Sequence, residues 1–261
     1  MNRNELYEKL EELAPLELQD SWDNSGPQIE TGRGDVRRVL AAMEITYDVI
    51  DEAEAAGADM IITHHPLFFA PLRNLKEEDI PGSYALKLAR AGISVYSMHT
   101  SFDNAPRGMN DMILEAVGAE VSGCAKDSQG NDIPCLKMGR LREPKTVSEI
   151  FEELGDYLLC GDMRVSGTGD DEVSVIAVCT GAGGSFWKEA LDAGAELFIT
   201  GEIRHHEAMP ASELGLGIIS AGHWGTEHIF TEALRRYFED NISGVQLIES
   251  TVAADPFIRV D

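Results

Sequence analysis

The chain has 261 residues, 43% of them hydrophobic, enough for one large core or two modest ones. Its 46 acidic residues against 21 basic give a formal charge of −25, which repels a phosphate backbone and leaves no basic stripe, so nucleic acid is not an expected partner. No apolar run reaches the roughly 18 residues of a membrane span, and the opening MNRNELYEKLEELAP lacks the apolar stretch of a secretory signal, so a cytoplasmic setting is expected.

Leu6, Leu10 and Leu13 recur at helical spacing and stop before Pro15, which predicts an amphipathic opening helix. The segment SWDNSGPQIE then sets Trp22, Asp23 and Asn24 ahead of a glycine turn, as a packed turn or a pocket wall. An apolar strand, VLAAME from Val39, leads through a helical stretch into a second buried strand, Met60–Ile62, which runs directly into THHPLFF. A third strand, GISVYSMHTSFD, ends in His99 and Asp103, and a helix through Met109, Ile113 and Val117 follows. The middle stretch begins polar (KDSQGNDIP) and continues as strand, helix, strand: CLKMGRL, TVSEIFEELGDYL, DMRVSG. Beyond it, VSVIAVCT opens a further series through TGAGGSF, TGEIRHHEA and GLGIISAGHWGTE, closing on a helix through Ile229, Leu234 and Phe238.

The two series are copies of each other. Residues 52–63, EAEAAGADMIIT, align without gaps on 189–200, EALDAGAELFIT, with seven of twelve positions identical. Both copies end in His-x-x-x-acid, His99 to Asp103 and His223 to Glu227. The expected fold is therefore α/β: two related lobes from an internal duplication, each with a central mixed, largely parallel sheet flanked by helices. Boundaries are expected at 1–127 plus 217–261 for one lobe and 128–216 for the other.

His64, His65, Asp103, His223 and Glu227 are the candidate metal ligands, because all sit where strands end and open parallel sheets collect ligands outside the carboxyl ends of their strands. Each has a plainer role open to it: a strand-end hydrogen bond for either histidine, a cap or Asx turn for Asp103, an exposed first turn for the last pair. Strand alternation sends His64 and His65 to opposite faces, one toward each of two ions. Five nitrogen and oxygen ligands exceed the usual three of one catalytic zinc and suit two divalent ions, zinc, iron, manganese, nickel or cobalt, roughly 3.5–4 Å apart. Water at such a centre loses its proton near neutral pH.

His99 is a candidate for proton relay or for orienting a ligand, and His206 for proton shuttling beside the blander helix-start role it shares with His205. Gly181, Gly183 and Gly184 follow a strand and could admit a phosphate, although their spacing is not the dinucleotide fingerprint. Cys124, Cys135, Cys160 and Cys179 lack Cys-x-x-Cys spacing, so reduced thiols are expected rather than a zinc site or disulfides.

The segments SWDNSGPQIE, THHPLFF, HTSFDNAPRGMND, TGEIRHHEA and GHWGTE, in this order between positions 21 and 228, resemble the NIF-three-like proteins, many of them labelled GTP cyclohydrolase 1 type 2 homologues. The resemblance implies two related α/β halves, a dinuclear metal site and a hexameric toroid. It points to the same five residues as ligands, with Glu227 bridging. The implied activity is a metal-dependent hydrolase of the GTP cyclohydrolase kind, acting on a small-molecule substrate at purine C8 or another electrophilic centre. The alternative is a non-catalytic protein that stores, delivers or senses metal, or serves as a scaffold.

Overall fold

A computed structural model of the chain describes residues 1–31, 34–159, 163–167, 169–252 and 255–257. It divides into two compact units, Met1–Ala105 with Phe230–Asp261, and Pro106–Ile229.

The first unit opens with α1 (Arg3–Leu13), started by a capping box in which the Asn2 side chain accepts from the Asn4 amide and Glu5 reaches back. Its apolar stripe buries Leu6, Tyr7 and Leu10. There follow β1 (Gly26–Ile29), β2 (Arg38–Ala42), α2 (Tyr47–Ala56), β3 (Met60–Thr63), α3 (Gly82–Ala91), β4 (Ser94–Ser97) and the short α4 (Thr100–Asn104). Strands β2, β3 and β4 are parallel, with Ile61 paired to Leu40 on one side and Val95 on the other. All three residues are fully buried, which accounts for apolar runs without alternation. β1 lies antiparallel on β4, Gly26 opposite Ser97.

The second unit holds α5 (Met109–Ala116), β5 (Ala119–Lys126), β6 (Asp132–Thr146), α6 (Val147–Leu158), β7 (Arg164–Ser166), β8 (Glu172–Cys179), α7 (Trp187–Asp192), β9 (Leu197–Thr200), α8 (His205–Glu213), β10 (Gly217–Ser220) and α9 (His223–Glu227). The sheet order is β5-β6-β8-β9-β10-β7. Only β8-β9-β10 is parallel among these described pairings; the others are antiparallel. The polar segment after Cys124 is a hairpin turn, in which the Asp127 side chain accepts from the amides of Gln129 and Asn131. The chain then returns to the first unit through α10 (Ile229–Asn241) and β11 (Gln246–Glu249), which pairs parallel with β2 and completes the order β1-β4-β3-β2-β11.

The unit boundaries differ from the expected 127 and 217. Helix α5 packs on its own hairpin: Leu114 fills the space a Cβ on Gly139 would occupy, 2.6 Å from its methyl, and Asn110 accepts from the Thr180 amide at 2.8 Å. At the other end, the chain leaving β10 stays bonded to the chain leaving β9, Ala221 to Thr200 and Gly222 to Gly201. The duplication also begins earlier than expected. A helix and an antiparallel edge strand, α1 with β1 and α6 with β7, precede each parallel trio, and each edge strand flanks the trio's last strand. Cys124, Cys135 and Cys179 form no disulfide among the described residues, and Cys160 lies outside them. No helix among the described residues is long and apolar enough to cross a membrane.

Candidate metal centre

In the first unit the ends of β3 and β4 carry three histidines whose ligand atoms lie within 4.8 Å of one another: His64, His65 and His99. Their ring centroids are 5.2 Å apart for His64 with His65, 5.2 Å for His64 with His99 and 5.8 Å for His65 with His99. The rings of His64 and His65 thus converge, against the divergence expected from strand alternation. β3 stops at Thr63, where the chain bends: consecutive amides of His64 and His65 both donate toward the chain leaving β2, to Ala42 and Met43. The Thr63 hydroxyl donates to the His65 carbonyl at 2.8 Å and fastens the bend. Asp103, on α4, brings its Oδ1 to 3.9 Å from His64 Nε2.

Each imidazole turns its Nδ1 toward an oxygen acceptor. His64 Nδ1 meets the Met98 carbonyl at 2.9 Å, and because a carbonyl only accepts, this nitrogen carries the proton. His99 Nδ1 meets Asp23 Oδ1 at 2.8 Å, and His65 Nδ1 faces Glu44 at 3.5 Å. In His64 and His99 Nε2 is thereby left as the lone-pair donor, the tautomer that a metal-binding histidine needs. Asp23 is anchored in turn: the Ser25 hydroxyl, the Thr100 hydroxyl and the Thr100 amide all donate to its Oδ2. Burial alone would raise its pKa, but the hydrogen bonds from His99, Thr100 and Ser25 outweigh that and hold its carboxyl far below the usual range.

The second unit repeats the device on α9. His223 Nδ1 lies 3.2 Å from Glu202 Oε2, and its Nε2 lies 3.0 Å from Glu227 Oε2 one turn on. Glu227 is almost entirely buried. Gly181 makes room for it, since a Cβ there would fall 2.0 Å from Oε1. Gly183 and Gly184 serve packing in the same way, against the Cys179 side chain and the backbone of Glu202, so these glycines do not form a phosphate cradle. His205 and His206 are exposed at the start of α8 and belong to neither histidine group.

A family model described as Duf34/NIF3 (NGG1p interacting factor 3) matches residues 1–256. The chain belongs to the Duf34/NIF3 family. A Clostridium perfringens protein named GTP cyclohydrolase 1 type 2 homolog is 31% identical over 98% of this chain and 99% of its own length. A Helicobacter pylori protein named GTP cyclohydrolase 1 type 2 is 32% identical over 87% of both chains. Among solved structures, a Staphylococcus aureus hypothetical protein matches with a TM-score of 0.87 and 25% identity, covering 100% of this chain and 99% of its own.

For this Duf34/NIF3 chain, sequence reasoning missed the anchoring carboxylates Asp23, Glu44 and Glu202. Asp23 stood in plain sight as a pocket candidate, but its role depends on β1 pairing antiparallel with β4, which sets the residues before β1 beside those after β4. Glu202 had a readable signal: two residues past the duplicated threonine, it occupies the position that His65 holds in the first copy.

Proposed function

We propose that this chain binds two divalent ions through His64, His65, Asp103, His223 and Glu227, and that it is a metal-dependent hydrolase acting on a small molecule. The observation that carries the reading is the uniform orientation of the imidazoles, each with Nδ1 beside an oxygen acceptor. Nitrogen and carboxylate donors of this kind suit zinc, iron, manganese, nickel or cobalt.

Bound ions would acidify water and polarise an electrophilic substrate atom. The protein's own part is to fix the donors, and Asp23 is the group that keeps the His99 proton on Nδ1. His99 Nε2 is then positioned to take a proton from an attacking water or return one to a leaving group. His206, exposed at the start of α8, is retained as a shuttle only for a substrate that reaches it.

The names of the relatives make GTP the first substrate to try. Metal-loaded protein offered GTP, phosphoesters and amides should turn over at least one of them, and Asp103→Ala should abolish that turnover; equal rates in both would end the hydrolase reading. The non-catalytic alternative gains if metal passes readily to a partner protein with no turnover. From the family resemblance we also propose a cytoplasmic homohexamer, which light scattering of the purified chain tests directly.

A further inference from the structure

Beside the histidines of the first unit lies an open cleft of about 720 Å³, walled by Trp22, Asp23 and Asn24 on one side and the loop Phe68–Leu75 on the other. The walls are tied together: Asn24 Nδ2 donates to the Phe68 carbonyl at 2.7 Å, and the Phe68 amide to Gln28 Oε1 at 3.2 Å. Trp22 and Phe69 are 62% and 59% exposed. Both meet the His99 ring edge-on, at 5.8 and 5.6 Å. The cleft therefore offers aromatic faces next to the proposed reaction centre.

Its charge is as particular as its walls. The Asp23 carboxylate is engaged by His99, Ser25 and Thr100. Arg73 has no hydrogen-bond or ion-pair partner among the described residues. In a chain with more than two acidic residues for each basic one, a guanidinium left without a carboxylate in the lining of an aromatic cleft is available to an anion. One such cation suits the charge of a phosphate monoester, about −1.5 to −2, better than that of a triphosphate, which the protein's own negative field opposes.

We propose that this cleft binds a flat heteroaromatic ring carrying one phosphate monoester, of the purine nucleoside monophosphate class, with the ring on Trp22 and Phe69 and the phosphate on Arg73. This deepens the hydrolase reading by naming its substrate class and makes the triphosphate of the relatives' names the poorer ligand.

The test is calorimetric titration of the full chain, stripped of metal by chelation so that phosphate cannot bind ions, with guanosine 5′-monophosphate, guanosine, ribose 5-phosphate and GTP. The monophosphate should bind about tenfold more tightly than either fragment and more tightly than GTP. Arg73→Gln should lower the monophosphate to the level of guanosine and leave guanosine unchanged. Trp22→Ala should weaken monophosphate and guanosine but not ribose 5-phosphate. Both side chains are exposed, so thermal melts of the variants should match the parent. Ribose 5-phosphate binding as well as the monophosphate, GTP binding best, an unchanged affinity in Arg73→Gln, or no binding of any probe overturns the proposal. Absence of turnover with metal restored, the binding pattern being intact, would count against the hydrolase reading alone.

Discussion

Gly181 and Glu227 are in such close contact that the glycine's hydrogen is the largest substituent its Cα can carry. A Cβ would stand 2.0 Å from Oε1 of a carboxylate that has almost no solvent to retreat into, and the φ of +57° disfavours any side chain besides. The backbone of Gly181 is also committed at both ends, its amide donating to Thr226 Oγ1 and its carbonyl accepting from Glu202. Gly181→Ala should therefore displace Glu227 rather than the loop. The expected result is a loss of about 1–3 kcal/mol in stability, together with reduced metal content by elemental analysis. A variant that is destabilised yet keeps its full metal content would show that Glu227 is not a ligand.

Asp23→Asn is the corresponding test in the first unit. The amide is isosteric but loses the charge that stabilises Nδ1–H of His99, and its NH₂ group cannot accept from Ser25 or Thr100. Changes to groups that orient a metal-site histidine typically cost about 10–100-fold in metal affinity or activity. Chelator competition should detect a loss of that order, with Tm lowered as well. An Asp23→Asn protein with parental affinity and turnover would reduce Asp23 to a structural residue.

The parallel trios were legible because burial on both faces writes an uninterrupted apolar run, and because the duplication repeated that run at Met60–Thr63 and Leu197–Thr200. The His-x-x-x-acid endings were legible for the same reason. The convergence of His64 and His65 was not, since it hangs on where β3 stops: one further residue in register would have separated the rings. Strand β5 and the hairpin with β6 were also hidden. Five of the eight residues of β5 are exposed and it carries little apolar periodicity, and its partner is chosen by a turn around Asp127 whose side-chain hydrogen bonds no pattern of hydrophobicity records.

Glu52 ties the end of β11 to α2. Its carboxylate accepts from the Ser250 hydroxyl at 2.6 Å and from the Thr251 amide and hydroxyl at 2.9 and 2.7 Å. Partial burial raises its pKa, but these bonds outweigh that and leave it lowered in the folded chain. A group with a lowered folded pKa stabilises the fold fully above its unfolded value, about 4.3, and loses that contribution as pH falls through the folded value. Glu52→Gln should thus cost about 1 kcal/mol at pH 7, discounted for exposure, and the gap between parent and variant melting curves should close in acid below about pH 4. A gap constant from pH 7 into that range would mean the bonds are not charge-assisted.

Leu159 ends α6 in a left-handed conformation, φ 49° and ψ 28°, and is 83% exposed. A branched side chain gains nothing there from burial and crowds its own backbone, where helices usually place glycine. Its amide still donates to the Gly155 carbonyl at 3.0 Å, a bond glycine would keep. Leu159→Gly should stabilise the chain by about 0.5–1 kcal/mol, because relief of the strain exceeds the extra entropy glycine gives the unfolded state. Leu159→Ala should fall between the two, since it removes the branched bulk but retains Cβ. Denaturant midpoints of the three proteins at constant m-value measure this ordering; a Leu159→Gly midpoint at or below the parent would mean that the side chain is covered in the assembled protein.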